Sequence, residues 1–157
     1  MSEWFDETLH SGYHQGFRVK EILFESKTEH QHLVIFESAD FGRVMALDGV
    51  IQTTERDEFV YHEMLVHVPL LAMPDPASVL IIGGGDSGCL REALRHDCVQ
   101  RVVQCDLDER VARVCEQYFP WVEAACADPR TERVFEDGVA YVQQHASSFD
   151  LVIVDST

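Results

Sequence analysis

Residues 78–88, SVLIIGGGDSG, constrain this chain more than any other stretch of its sequence. SVLII reads as a short apolar strand, and Gly83-Gly84-Gly85-Asp86-Ser87-Gly88 then satisfies G-x-G-x-x-G and opens a helical stretch over 88–96. Glycines in such a loop permit a tight strand-to-helix turn and a close approach of backbone to a nucleotide. Asp106 ends the next strand, RVVQCD (101–106), where the ribose hydroxyls of a bound nucleotide would be read. The plainer alternative is a tight βα turn that is merely rich in glycine.

The period of the sequence changes at this loop. Before it, RVKEILFE, HLVIFES and RVMALD read as strands, and Asp48-Gly49 joins the last of them to VIQTT as a two-residue hairpin. Thr54-Glu55-Arg56-Asp57 resembles a capping box with Asp in place of Glu, opening a helix to about Ala72 that Pro74 and Pro76 close. After the loop, helices over 108–118 and near 138–146 alternate with strands near 133–136 and over 150–155. Such alternation requires crossovers and a parallel sheet covered on both faces. The expected architecture is α/β: a small β-hairpin module over 1–54, then a doubly wound domain over 55–157. The chain stops just past the strand DLVIVD, where the ligand crevice of an open α/β sheet lies, so a truncated domain is expected.

Composition narrows the function. Twelve Lys and Arg against 28 Asp and Glu give a net charge of -16, which repels phosphate backbones and anionic lipid; neither a nucleic acid nor a membrane is an expected partner. No apolar run reaches the ~18–20 residues of a membrane span, and the acidic start MSEWFDETLH lacks a signal core. The five cysteines (Cys89, Cys98, Cys105, Cys115, Cys126) form no C-x-x-C pair, which points to a reduced, cytoplasmic protein. The histidines form no H-E-x-x-H motif, so no metal site is expected.

Asp86 decides which nucleotide suits the loop. A carboxylate here opposes a pyrophosphate, so NAD fits poorly and a sulfonium nucleoside fits better. Asp137-Gly138 follows a strand and precedes a helix; the acid could accept from the amine of adenine or serve only as an N-cap. Asp155 ends the last strand and would face the crevice, or cap whatever follows. Tyr61 and His62 near the start of the 55–72 helix, and Gln31 in the polar stretch KTEHQH, have core and surface roles as their plainer readings.

Three stretches, LDGVIQTTERDEFVYHEML (47–65), VLIIGGGDSGCLRE (79–92) and LVIVDST (151–157), resemble the spermidine synthases, the polyamine aminopropyltransferases, in their bacterial form. The resemblance runs from Trp4 to Thr157 and covers the first part of the family's length. It implies a Rossmann-like sheet of the S-adenosylmethionine-dependent methyltransferase type, ending after its fourth strand. It also implies transfer of an aminopropyl group from decarboxylated S-adenosylmethionine to putrescine, giving spermidine and methylthioadenosine. The donor is a co-substrate, and no prosthetic group is implied. Gln31, Gly83, Gly85, Asp86, Asp106, Asp137 and Gly138 would bind the donor; Tyr61, His62, Asp86 and Asp155 would face the polyamine. Asp155 would be the general base. A homodimer or homotetramer is implied. Ser87 stands where the family usually has Gly, and Asp106 where it usually has Glu. A second acid expected soon after Asp155 lies beyond the end of the chain. Alternatives are a methyltransferase of the same fold and a non-catalytic fragment that binds nucleoside or only oligomerises.

Overall fold

The computed structural model describes residues 3–10 and 12–156; Thr157, the end of the third resembling stretch, lies outside the described residues, as do Met1 and Ser2 of the acidic start. It divides into two units, Met1–Glu58 and Phe59–Thr157.

Alternating and apolar runs in the first unit pair as an antiparallel meander, β1 (Trp4–His10), β2 (Tyr13–Lys27), β3 (His32–Ser38), β4 (Gly42–Leu47) and β5 (Val50–Thr54), each strand beside the next. Asp48 and Gly49 have φ of 49° and 82°, the double left-handed turn that a two-residue hairpin needs. The turn sets Leu47 opposite Val50, and Asp48 Oδ1 also accepts from His32 N at 2.8 Å, tying the turn to β3. Phe17, Val34, Phe36 and Val44 are buried on one face, with Phe5 stacked on Phe36 at 5.0 Å between ring centroids.

Two features of this unit depart from expectation. The sequence reading missed β1 entirely, because WFDETLH carries acids that pair along the edge instead of alternating cleanly with apolar residues. The Thr54 hydroxyl donates to Asp57 Oδ1 at 2.5 Å, and the helix α1 (Glu58–Ala72) starts directly after that acid, later than the expected opening at Thr54.

The second unit carries a four-stranded parallel sheet in the order β8-β7-β6-β9, built from β6 (Ser78–Gly83), β7 (Arg101–Asp106), β8 (Thr131–Phe135) and β9 (Leu151–Asp155). Its helices are α1, α2 (Gly88–Leu94), α3 (Glu109–Tyr118), α4 (Val122–Ala127) and α5 (Gly138–Gln144). Side chains of β6 alternate between two apolar layers. Val79 and Ile81 pack with Val66, Leu90 and Ala125 of α1, α2 and α4, while Leu80 packs with Val103 and Tyr141 of β7 and α5. Helices thus cover both faces, as a doubly wound sheet requires. Strand order reverses between β6 and β9, the kind of switch point beyond whose strand ends open α/β sheets bind their ligands. Two helix expectations shift: α2 ends at Leu94, two residues early, and α4 was not foreseen at all.

Candidate active site

The loop after β6 is shaped by left-handed backbone at three of its residues. Gly83, Gly84 and Ser87 have φ of 83°, 67° and 58°. Gly83 is the tightest of them, since a Cβ there would overlap the carbonyl oxygen of Asp155, and Gly84 N donates to that same oxygen at 2.8 Å. The loop therefore lies directly on the end of β9. Ser87 adopts a conformation that a non-glycine residue pays for with strain. Its fully buried hydroxyl donates to Gln104 Oε1 at 3.3 Å, and the Gln104 amide in turn donates to Gly84 O.

This local path brings several of the expected residues together. Asp86 is only 6% exposed; its Oδ1 accepts from Gly88 N at 2.9 Å, and its Oδ2 lies 3.5 Å from His62 Nε2. His62 is itself buried, and a side chain at Gly88 would overlap its ring, so the last glycine of the motif makes room for the imidazole. Tyr61 leaves half its surface exposed but sends its hydroxyl inward to donate to Asp155 Oδ1 at 3.0 Å. Asp155 Oδ2 would stand 3.0 Å from a Cβ at Gly84.

Electrostatics follow from packing acids into a partly closed crevice. Burial raises the Asp155 carboxyl above its ordinary value, and Asp86 raises it further, against hydrogen bonds from Cys89 and Tyr61 and the nearby imidazole. Asp106 is raised by burial as well, although Asp108 N donates to its Oδ1 at 2.8 Å. Gly85 passes close to it: a Cβ there would lie 3.1 Å from Asp106 Oδ2. Burial, then Asp155, pushes the Tyr61 phenol far above its usual range, keeping it a donor. A site that disfavours ionised carboxylates in this way gains most from a cationic ligand.

For three expected residues the structure describes local contacts. Asp137 is the N-cap of α5, its Oδ1 accepting from Ala140 N at 2.8 Å, which is the plainer of the two readings the sequence allowed. Gly138, next to it, would place a Cβ 2.5 Å from Ile82 Cγ2. Gln31 belongs to the first unit, where its backbone closes a turn with Thr28, and its assignment rests on the resemblance.

Three contributors were missed. Cys89, fully buried, bonds Asp155 through its thiol. Trp121 Nε1 donates to Asp86 O at 2.8 Å from the segment preceding α4, with no sequence signal to mark it. Gln104 did carry a signal, being the one polar residue inside the apolar run of β7.

A parallel sheet with a glycine loop carrying Asp86 at its switch point, and acids on the ends of β7 and β9, defines a Rossmann-like α/β domain. Residues 58–157 match the spermine/spermidine synthase domain and residues 3–55 the spermidine synthase tetramerisation domain. The chain belongs to the spermine/spermidine synthase family. It is 51% identical over 157 residues to a polyamine aminopropyltransferase of Thermoanaerobacter sp. (strain X514), covering all of this chain and 57% of that protein. The corresponding enzyme of Yersinia pestis (strain Pestoides F) is 53% identical over 155 residues, covering 98% of this chain and 52% of its own. A crystal structure of spermidine synthase in complex with the transition-state analogue AdoDATO superposes with a TM-score of 0.94 at 41% identity, over 98% of this chain and 53% of that one. Spermidine synthase from Thermotoga maritima gives 0.93 at 41% identity, over 98% and 54%. The chain spans about half the length of the relatives it matches.

Proposed function

We propose that the protein is a spermidine synthase, an alkyl transferase that moves the aminopropyl group of decarboxylated S-adenosylmethionine onto putrescine. The observation that carries this reading is the pair of acids, Asp86 buried in the glycine loop and Asp155 at the end of β9, with burial raising the Asp155 carboxyl. Ordinary S-adenosylmethionine carries a carboxylate that such acids repel. The decarboxylated donor ends in an ammonium that they attract.

In this reading Asp106 binds the ribose hydroxyls, Asp137 and Gly138 meet the adenine, and Gly83 and Gly85 let the nucleoside approach the backbone. Gln31 and Asp86 hold the aminopropyl end. Putrescine lies along Tyr61 and His62 with one amine at Asp155. Amines are protonated at neutral pH, with a pKa near the ~10.4 of lysine, so one proton must leave before attack. Asp155 takes that proton in direct contact, and its raised pKa makes it a better base than an exposed aspartate. The freed nitrogen lone pair then attacks the methylene carbon bonded to sulfur. The carbon–sulfur bond breaks, its electrons neutralise the sulfonium, and methylthioadenosine leaves. Because the sulfonium is already activated, alignment of nitrogen, carbon and sulfur supplies most of the acceleration.

The match of residues 3–55 to a tetramerisation domain supports assembly as a homodimer or homotetramer. All five cysteines are free, which supports a reducing, cytoplasmic setting, and among the described residues no helix is long and apolar enough to cross a membrane.

The test is a product assay with putrescine and decarboxylated donor, following methylthioadenosine and spermidine together. Asp155→Asn is expected to lower kcat by about 100-fold or more, the scale of general-base catalysis. Near-full kcat in that variant would remove Asp155 as the base, and methyl transfer from S-adenosylmethionine in its place would identify a methyltransferase.

A further inference from the structure

Two clusters of metal-ligating side chains occur in the second unit, and their surroundings separate them. Glu63, His67 and Glu92 offer one ligand atom each within 4.8 Å of one another. Cations already hold that cluster: Glu92 pairs with Arg91 at 2.7 Å and Arg95 at 2.9 Å, and the His67 ring bridges Glu92 at 3.2 Å and His96 at 2.9 Å. An entering metal would have to displace two guanidinium groups.

His62, Cys89 and Asp155 form the other cluster, again with ligand atoms within 4.8 Å of one another. Here the neighbouring charges are negative. Asp86 lies 3.5 Å from His62 and acts on both Cys89 and Asp155, and Asp155 in turn acts on Asp106. Imidazole, thiolate and carboxylate are the ligand types of zinc, whose bonds of about 2.0–2.3 Å put tetrahedral ligand atoms about 3.3–3.8 Å apart. Two of the three ligands, His62 and Cys89, are at least 97% buried on adjoining helices, so the set is held by the fold.

We propose that His62, Cys89 and Asp155 bind a thiophilic divalent cation of the zinc class, with Asp86, 3.5 Å from the His62 imidazole, as a neighbouring carboxylate. On binding, the Cys89 thiol releases its proton to solvent and its hydrogen bond to Asp155 is replaced by a shared metal ion. Thiolate and carboxylate together neutralise the dication, which relieves the crowding of acids. Cys89 occupies a position that packing alone would fill equally well with an aliphatic side chain; the sulfur adds a soft ligand beside a hard one. Metal and amine would then compete for Asp155, a consequence that rests on the transfer reading above.

Titration of the reduced, metal-free chain with Co2+, followed by its thiolate-to-metal charge-transfer absorption, tests the site. The expected result is one Co2+ per chain, a band that Zn2+ abolishes, and loss of the band in Cys89→Val. Asp155→Asn should weaken Co2+ by about tenfold or more. The double variant Cys98→Ala/Cys126→Ala, which removes the two partly exposed thiols, should keep both band and affinity. Absence of the band, its persistence in Cys89→Val, or its loss in the double variant would overturn the proposal. Should Cys89→Val fail to fold, Asp155→Asn decides alone: tenfold weaker binding supports the site and unchanged binding rejects it. No readout depends on transferase turnover, so failure of the metal site leaves the transfer reading intact, and failure of the transfer assay leaves the metal result standing.

Discussion

Alanine at Gly83 and at Gly84 separates two costs that usually arrive together. Both residues have left-handed φ, 83° and 67°, so alanine at either pays about 1–2 kcal/mol of backbone strain. About 0.4–1 kcal/mol of that is recovered because alanine also restricts the unfolded chain. The surroundings then differ. At Gly84 the new methyl meets Asp155 Oδ2 at 3.0 Å, the end of a side chain that can turn aside, and Ile81 Cγ2 at 3.3 Å, which need give by only a few tenths of an ångström. At Gly83 it meets the carbonyl oxygen of Asp155, which belongs to backbone paired in the sheet and can retreat only by moving β9. Overpacking of this kind costs about 1–3 kcal/mol. The bond from Gly84 N to that oxygen, 2.8 Å, is worth about 0.5–1.5 kcal/mol more if it breaks. Gly84→Ala should therefore lose about 1 kcal/mol, and Gly83→Ala about 2–5 kcal/mol. Urea unfolding read by circular dichroism measures both, with the m-value checked for a single transition. Equal losses in the two variants would refute the claim that the loop rests on the end of β9.

Other outcomes follow from single contacts. Asp137→Ala should cost about 0.5–2 kcal/mol through the lost cap of α5, whereas Asp137→Asn should keep most of that stability; thermal unfolding distinguishes the two. Asp150 accepts from Ser78 Oγ, Ser78 N and Ala77 N at 2.8, 2.8 and 2.9 Å, and the Ser78 hydroxyl first, then the two backbone amides, lower its pKa. A carboxyl with a depressed folded pKa stabilises above its unfolded value near ~3.9 and loses that contribution as pH falls through the folded pKa. Acid unfolding should accordingly be less steep in Asp150→Asn than in the parent chain, with the difference between the two shrinking as pH falls through the folded pKa.

How much of this was legible in the sequence varies with the kind of signal. Short, local and chemically specific features read well. Asp48-Gly49 demands positive φ at both positions and adopts it, and SVLIIGGGDSG gives β6, the loop and α2 almost to the residue. Features set by the rest of the fold did not read. The β1 strand takes its place from pairing with β2, and its acids hide any alternation. The Thr54–Asp57 pair has a capping spacing, yet its hydroxyl and carboxylate bond each other in the turn ahead of the helix. Within the site, strand-end acids could be placed from topology alone. The thiol of Cys89 and the indole of Trp121 reach it through tertiary packing, which no spacing encodes.

The central claim is that the acids of the crevice select a donor lacking a carboxylate. Titration calorimetry of the chain with decarboxylated S-adenosylmethionine and with S-adenosylmethionine tests it most directly, repeated with Asp86→Asn to assign the effect. The account predicts binding of the decarboxylated donor tighter by about tenfold or more, a difference of about 1.4 kcal/mol, and a smaller preference in the variant. Equal or tighter binding of S-adenosylmethionine to the parent chain would contradict it.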